Sequence, residues 1–224
     1  MKNNHLIIFL SCIFYLLSCE QNKKEPKYVE IKLIDRFTNE LKLDSANSLT
    51  VSEISPLYIG RITNEIIISY QNCETVSKTK NRKKYKTPRA NSLEIFIDTT
   101  RTIGIPMGFY RHSKEEKRND KIAYPFFMKN ISKDTMNIGY AEFLPIIIEA
   151  KDRNGNWNAI QKKFTFDCGT GIQNFYFAPN NIIISSMKKF NGTFKTKLRL
   201  KYDFVGTEIY SNIIDGEINE KQFE

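Results

Sequence analysis

Histidine is nearly absent from this chain: 224 residues contain two, His5 and His112. Only His112 lies beyond the N-terminal apolar run, so the body cannot assemble a zinc site from two or three histidines. It has one imidazole to offer as base for a thiol or hydroxyl nucleophile, and His112 beside Ser113 does not make a triad. No Gly-x-Ser-x-Gly elbow occurs. Gly169-Thr170-Gly171 lacks the third glycine and the following helix of a dinucleotide site. Asp152-Arg153-Asn154-Gly155-Asn156 is dense in oxygen ligands but lacks the spacing and the bidentate Glu of a calcium loop. No sustained apolar period of 3.6 residues is present, and no repeat of solenoid length. The only short helical turns to expect are Glu115–Asp120 and Glu217–Phe223. These absences exclude the common metal, serine-hydrolase and nucleotide chemistries, and neither metal nor cofactor is expected.

What is present begins at the N-terminus. Lys2 precedes an apolar run from Leu6 to Leu17, and Ser18-Cys19 precede the polar stretch Glu20–Pro26. A run of 12 residues is too short for a helix across a bilayer core of about 30 Å, which needs about 20. A charged start, a short apolar middle and a small residue before the cut describe an export signal. Leu16-Leu17-Ser18-Cys19 resembles the bacterial lipobox, with Leu17 bulkier than usual at its position. The resemblance implies a signal peptide over residues 1–18, cleavage before Cys19 and a diacylglycerol thioether on Cys19. Residues 19–27 would then be a lipidated tether.

Cleavage would leave about 205 residues, ample for a core. The net charge is +9, from 34 Lys+Arg and 25 Asp+Glu, and Lys2 is the only charged residue in the signal. For an exported protein this charge would meet anionic lipid or acidic glycan before nucleic acid, and nucleic acid is not expected as a partner. Abundant Lys, Asn, Ile and Phe with little Ala or Gly also fits the bias of an AT-rich genome. Of four cysteines, Cys12 leaves with the signal and Cys19 carries lipid, so Cys73 and Cys168 remain. An oxidising envelope permits a disulfide between them, and two buried free thiols are the equal alternative.

From residue 28 onward, short segments rich in Ile, Val, Phe, Tyr and Thr alternate with turn residues. In the first part these are Tyr28–Ile34, Leu57–Ile62, Glu65–Tyr70, Ser92–Asp98 and Ile103–Arg111. Next come Ala123–Asn130, Met136–Gly139, Glu142–Ala150, Trp157–Ile160 and Lys163–Phe166. Asn174–Ala178, Asn181–Met187, Gly192–Phe204 and Glu208–Ile213 complete the series. Within Gly192–Phe204, Phe194, Leu198, Leu200 and Tyr202 share one face, and Lys195, Lys197, Arg199 and Lys201 the other. Asn154-Gly155 predicts a type I′ hairpin, and Asn180-Asn181 and Asn191-Gly192 predict turns. The fold expected is all-β. Residues 122–224 have the strand count of an immunoglobulin-like sandwich, with Trp157 as a core or strand-start anchor. Residues 28–121 form a β-rich part packed on it or continuous with it.

The densest charge lies in residues 78–89, where Lys78, Lys80, Arg82, Lys83, Lys84, Lys86 and Arg89 surround Tyr85 with no acid. Like charges at this density repel, so a solvated loop is expected, with anion binding as its functional reading. The stretch Arg111–Lys121 is mixed in sign and self-compensating. Asp44-Ser45-Ala46, Asp98-Thr99-Thr100 and Asp134-Thr135-Met136 resemble the O-glycosylation sequon of the Bacteroidota envelope, making Ser45, Thr99 and Thr135 candidate acceptors. Tyr124-Pro125-Phe126, the Ile148–Trp157 hairpin, Phe194–Leu200 and Ile218–Phe223 are similar to exported lipoproteins of that lineage, over about half the chain. That resemblance carries no catalytic residues. The expected function is non-enzymatic: a lipid-anchored envelope module, outer membrane preferred, that binds or scaffolds a glycan or another envelope protein. A polysaccharide hydrolase using paired carboxylates and a periplasmic immunity lipoprotein are the alternatives.

Overall fold

A computed structural model of the chain describes residues 27–35, 41–52, 54–68, 85–105, 121–141, 143–166 and 173–224. These residues form an all-β body of sixteen strands and two 3-10 turns. Its frame is two antiparallel five-stranded sheets. Sheet I runs β3 (Tyr58–Arg61), β13 (Asn181–Lys188), β7 (Lys121–Asn130) and β5 (Leu93–Ile97), with β6 (Ile103–Ile105) on the same edge of β7 as β5. Sheet II runs β10 (Trp157–Ala159), β9 (Ile146–Lys151), β14 (Phe194–Phe204) and β15 (Thr207–Tyr210). There β16 (Ile214–Ile218) shares β14's edge with β15. Strands from before residue 121 (β3, β5 and β6) flank the adjacent pair β7 and β13 within sheet I.

The alternation in β14 produces the first core. Leu198, Leu200, Tyr202 and Phe204 are buried and meet Ile146, Ile148 and Ala150 of β9 and Phe126, Met128, Ile183 and Met187 of sheet I. Each large apolar side chain so buried contributes about 1.5–3 kcal/mol. Thr196 interrupts this face without penalty, since its hydroxyl donates to the Lys151 carbonyl at 2.6 Å. The Tyr202 hydroxyl donates to the Ile138 carbonyl at 3.0 Å, satisfying a phenol in full burial.

Sheet I is buried on its other face as well. Ala123, Phe127, Ile182 and Ile184 point into a second core with Tyr28, Ile31, Leu57, Ile66, Ile68 and Ile103. Above it lie the 3-10 turn Lys27–Glu30 and a parallel pair, β1 (Lys32–Asp35) with β4 (Glu65–Ile68). The unbroken runs Phe126-Phe127-Met128 and Ile182-Ile183-Ile184 have this physical cause: strands covered on both faces need apolar side chains in both directions. Three layers result, and the middle one is the most apolar.

Smaller pairs close the ends. β8 (Met136–Tyr140) pairs with β12 (Asn174–Phe177), and β2 (Thr50–Val51) lies parallel to β11 (Gln161–Lys162). Asn212 joins the two sheets by imitating backbone: its Oδ1 accepts from Ile97 N at 2.7 Å and its Nδ2 donates to Ile97 O at 3.0 Å.

Four expectations change. The hairpin at Asn154-Gly155 is not type I′: Gly155 alone has positive φ, at 82°. Gly155 N donates to Asp152 O and Asp152 N to Asn156 O, and Asp152 Oδ1 accepts from the amides of Asn154 and Asn156, both at 2.8 Å. The aspartate cap selects a longer turn with one left-handed glycine. Lys163–Phe166 forms no strand and runs as a loop. Residues from Tyr28 onward make a 3-10 turn before β1 starts. At the C-terminus only Glu220–Phe223 turns helically, capped by the Asn219 side chain.

Candidate functional site

Loops gather at one end of the sandwich, where β8 leads into β9 and β14 turns into β15. After β8 the chain reverses at Ala141, whose φ is 53°, and Phe143 N donates to Tyr140 O. Gly139 permits this close return: a Cβ there would sit 2.9 Å from the Phe143 carbonyl oxygen. The reversal projects Phe143 beside the Lys163–Phe166 loop. Phe143 stacks on Phe164 at 4.1 Å between centroids, and Phe166 meets Phe164 edge-on at 4.9 Å. Tyr140 packs edge-on against Phe204 at 5.3 Å.

These rings, with Pro145 and Val205, line an apolar cleft of about 620 Å³, with no carboxylate among the described lining residues. Lys163, the one charged residue among the described lining residues, pairs with Asp203 at 3.3 Å. Val205 stands at the tip of the β14–β15 hairpin, 63% exposed. Val205 and Gly206 have φ of 50° and 76°, the left-handed pair of a two-residue hairpin. A β-branched side chain is disfavoured there by about 1–2 kcal/mol. Backbone strain and an exposed apolar tip therefore coincide at the rim of the aromatic cleft.

A second depression of about 950 Å³ lies between the other ends of the two sheets. Its floor includes the buried Met187, Phe190 and Leu198, and its rim carries more cations than carboxylates. The carboxylates are committed. Asp215 pairs with Lys197 at 2.6 Å, and Glu217 with Lys195 at 3.9 Å. Hydrogen bonds from the Asn156 and Asn154 backbone amides hold the Asp152 carboxyl below its ordinary value.

The outer face of β14 shows why its cations do not add up to an anion site. Arg199 lies 2.7 Å from Glu149 on the neighbouring strand, and Lys201 is 2.5 Å from Glu208. That contact lowers the Glu208 carboxyl and raises the Lys201 ammonium. Trp157 opens β10 on this face and is not a core residue; with Tyr210 it sandwiches the Arg199 guanidinium at 4.2 and 4.0 Å. The face is a compensated cross-strand network.

Of the residues singled out in the sequence, Cys19, Cys73, Cys168, His112, Lys78, Lys80, Arg82, Lys83 and Lys84 lie outside the described residues. Lys86 is exposed and pairs with Asp134 at 2.6 Å, and Arg89 is exposed beside the buried Pro88. Ser45 and Thr99 are exposed and Thr135 is half-buried. Asp98, which leads the second triplet, is buried and bonded to Thr100 and Arg101. Sequence reasoning missed the aromatic cleft because its rings come from three separate segments. The left-handed Val205-Gly206 pair between two strand-like runs was the available signal.

Among the described residues no group of three or more His, Cys, Asp or Glu side chains is placed to hold a metal ion, and no helix is long and apolar enough to cross a membrane. Comparison with protein-family models, curated proteins and solved structures finds no match.

Proposed function

We propose that this chain is a binding module of the bacterial cell envelope, lipid-anchored at Cys19, that holds a glycan at the aromatic cleft without cleaving it. The observation that supports this reading most is the cleft itself: Phe143, Phe164 and Phe166 in mutual contact at a loop end, with Tyr140 and Val205 exposed beside them. Aromatic faces in a concave apolar site suit the C–H faces of pyranose rings, and loop ends of rigid sandwiches are where such sites belong. In the larger depression Asp215 and Glu217 are engaged in ion pairs, and the Asp152 carboxyl is held below its ordinary value by backbone amides, the opposite of a general acid's shift.

The test is titration of the detergent-solubilised full-length protein with neutral oligosaccharides, followed by assay for new reducing ends. Binding that weakens about tenfold in Phe164→Ala, about 1.4 kcal/mol, with no new reducing ends, is the expected result. Release of reducing ends would favour the hydrolase, and binding indifferent to Phe164→Ala would remove the cleft from the account.

A further inference from the structure

Beside the aromatic cleft, the outer face of the β8–β12 pair carries polar chemistry that the ring cluster lacks. Met136 and Ile138 of β8 and Phe175 and Phe177 of β12 are buried beneath the pair. The positions between them face outward: Asn174 is exposed, and Asn137 and Tyr176 are half-buried. Their side chains form a ladder. Asn137 Nδ2 donates to Asn174 Oδ1 at 3.1 Å, and Asn174 Nδ2 donates to the Tyr176 hydroxyl at 3.1 Å. Each amide nitrogen keeps a second hydrogen, and the phenol keeps its own, with no acceptor among the described residues. The Tyr85 ring lies against Tyr176 at 3.9 Å between centroids.

Tyr140 joins this face to the cleft. A register shift in the pair leaves Ile138 without an opposite residue and sets Tyr140 across from Asn174, on the same side. Tyr140 is also 42% exposed, lines the cleft and meets Phe204 edge-on. From Asn174 to Tyr176 the strand advances about 7 Å, so cleft and ladder together present more than one sugar ring can touch. Tyr85, Asn137, Tyr140, Asn174 and Tyr176 are all uncharged, in a chain of net charge +9. At the end away from the cleft, Lys86 is already paired with Asp134. Amides and phenols beside aromatic rings match the hydroxyls and C–H faces of a neutral sugar chain. We infer, resting on the glycan reading of the cleft, that the ligand is a neutral oligosaccharide held along its length. One sugar sits at the cleft, and those that follow cross Tyr140 to the Asn137–Asn174–Tyr176 ladder. A single sugar would leave the ladder unused, and an acidic chain would meet no unpaired cation among these residues.

The experiment uses full-length protein in neutral detergent and compares disaccharides with hexasaccharides of glucose, mannose and N-acetylglucosamine. For the series that binds, the hexasaccharide should bind about tenfold tighter than the disaccharide, the order of two added neutral hydrogen bonds. In the double variant Asn174→Ala/Tyr176→Ala that ratio should fall to within about twofold of unity, since the contacts that produce it are gone. Lys195→Gln, on the outer face of sheet II, should leave the ratio as it is. Unaltered melting of the double variant separates lost binding from lost fold, and Asn174→Ala alone, at an exposed position, repeats the test where the pair disturbs the fold. The inference is overturned if the native protein binds both lengths equally, if the ratio survives in the variants that melt normally, or if Lys195→Gln abolishes it as well. The two readings fail separately. Binding that is lost in Phe164→Ala but does not depend on length removes the ladder and keeps the cleft. Absence of binding, or binding indifferent to Phe164→Ala, removes the cleft and the extension with it.

Discussion

Val205 is a β-branched residue in a left-handed turn, at a position where asparagine would fit without strain. Nothing in its exposed surroundings requires valine for packing. A substitution to Val205→Asn should raise stability by about 1 kcal/mol, the order of the αL penalty it relieves, read as a higher urea midpoint with unchanged m-value. No gain in midpoint would mean that the turn carries no strain. Asn212 shows a different economy at this scale: one side-chain amide satisfies both backbone groups of Ile97 and ties sheet I to sheet II. Neither residue differs in type from dozens of other polar or aliphatic positions in the chain, so their roles become visible only in three dimensions.

Among elements, the N-terminal layer depends most on a few contacts. Arg101 donates to the carbonyls of Tyr28 and Ile31, lies over the Phe127 ring, and sits 2.7 Å from the buried Asp98 carboxylate. Asp98 in turn accepts from the amide and hydroxyl of Thr100. Removing the guanidinium in Arg101→Ala leaves that carboxylate buried and unpaired, at a cost of about 3 kcal/mol. Hydrogen exchange should then speed up in β1 and the preceding turn while β14 keeps its protection; uniform loss of protection would show that the layers unfold together. The strands legible in the sequence were those with one buried face, β14 above all, where Lys-x-Lys-x-Arg-x-Lys alternates with apolar side chains. β7 and β13 were legible as strands but not as a middle layer, since burial on two faces leaves no polar stripe to orient them. β16 was hidden because Asp215, Gly216 and Glu217 contribute ion pairs and close approach to β14 in place of apolar pattern. Lys163–Phe166 misled in the opposite way: Phe164 and Phe166 alternate like a strand, yet they serve a ring cluster at a loop end.

For the whole molecule, the two depressions divide the surface chemistry between them. One is lined by aromatic rings at a loop end; the other has an apolar floor with a rim richer in cations than in carboxylates. The sequence placed its anion-binding expectation in residues 78–89, because charge density along a chain is visible there. The proposed glycan cleft would act at a membrane through the lipid proposed on Cys19, and the account of where this body works rests on that residue. Growth with radiolabelled palmitate, followed by detergent-phase partitioning, tests it directly. The native protein should carry label and enter the detergent phase, and Cys19→Ala should do neither. An unlabelled native protein, or label that survives Cys19→Ala, would contradict the anchor.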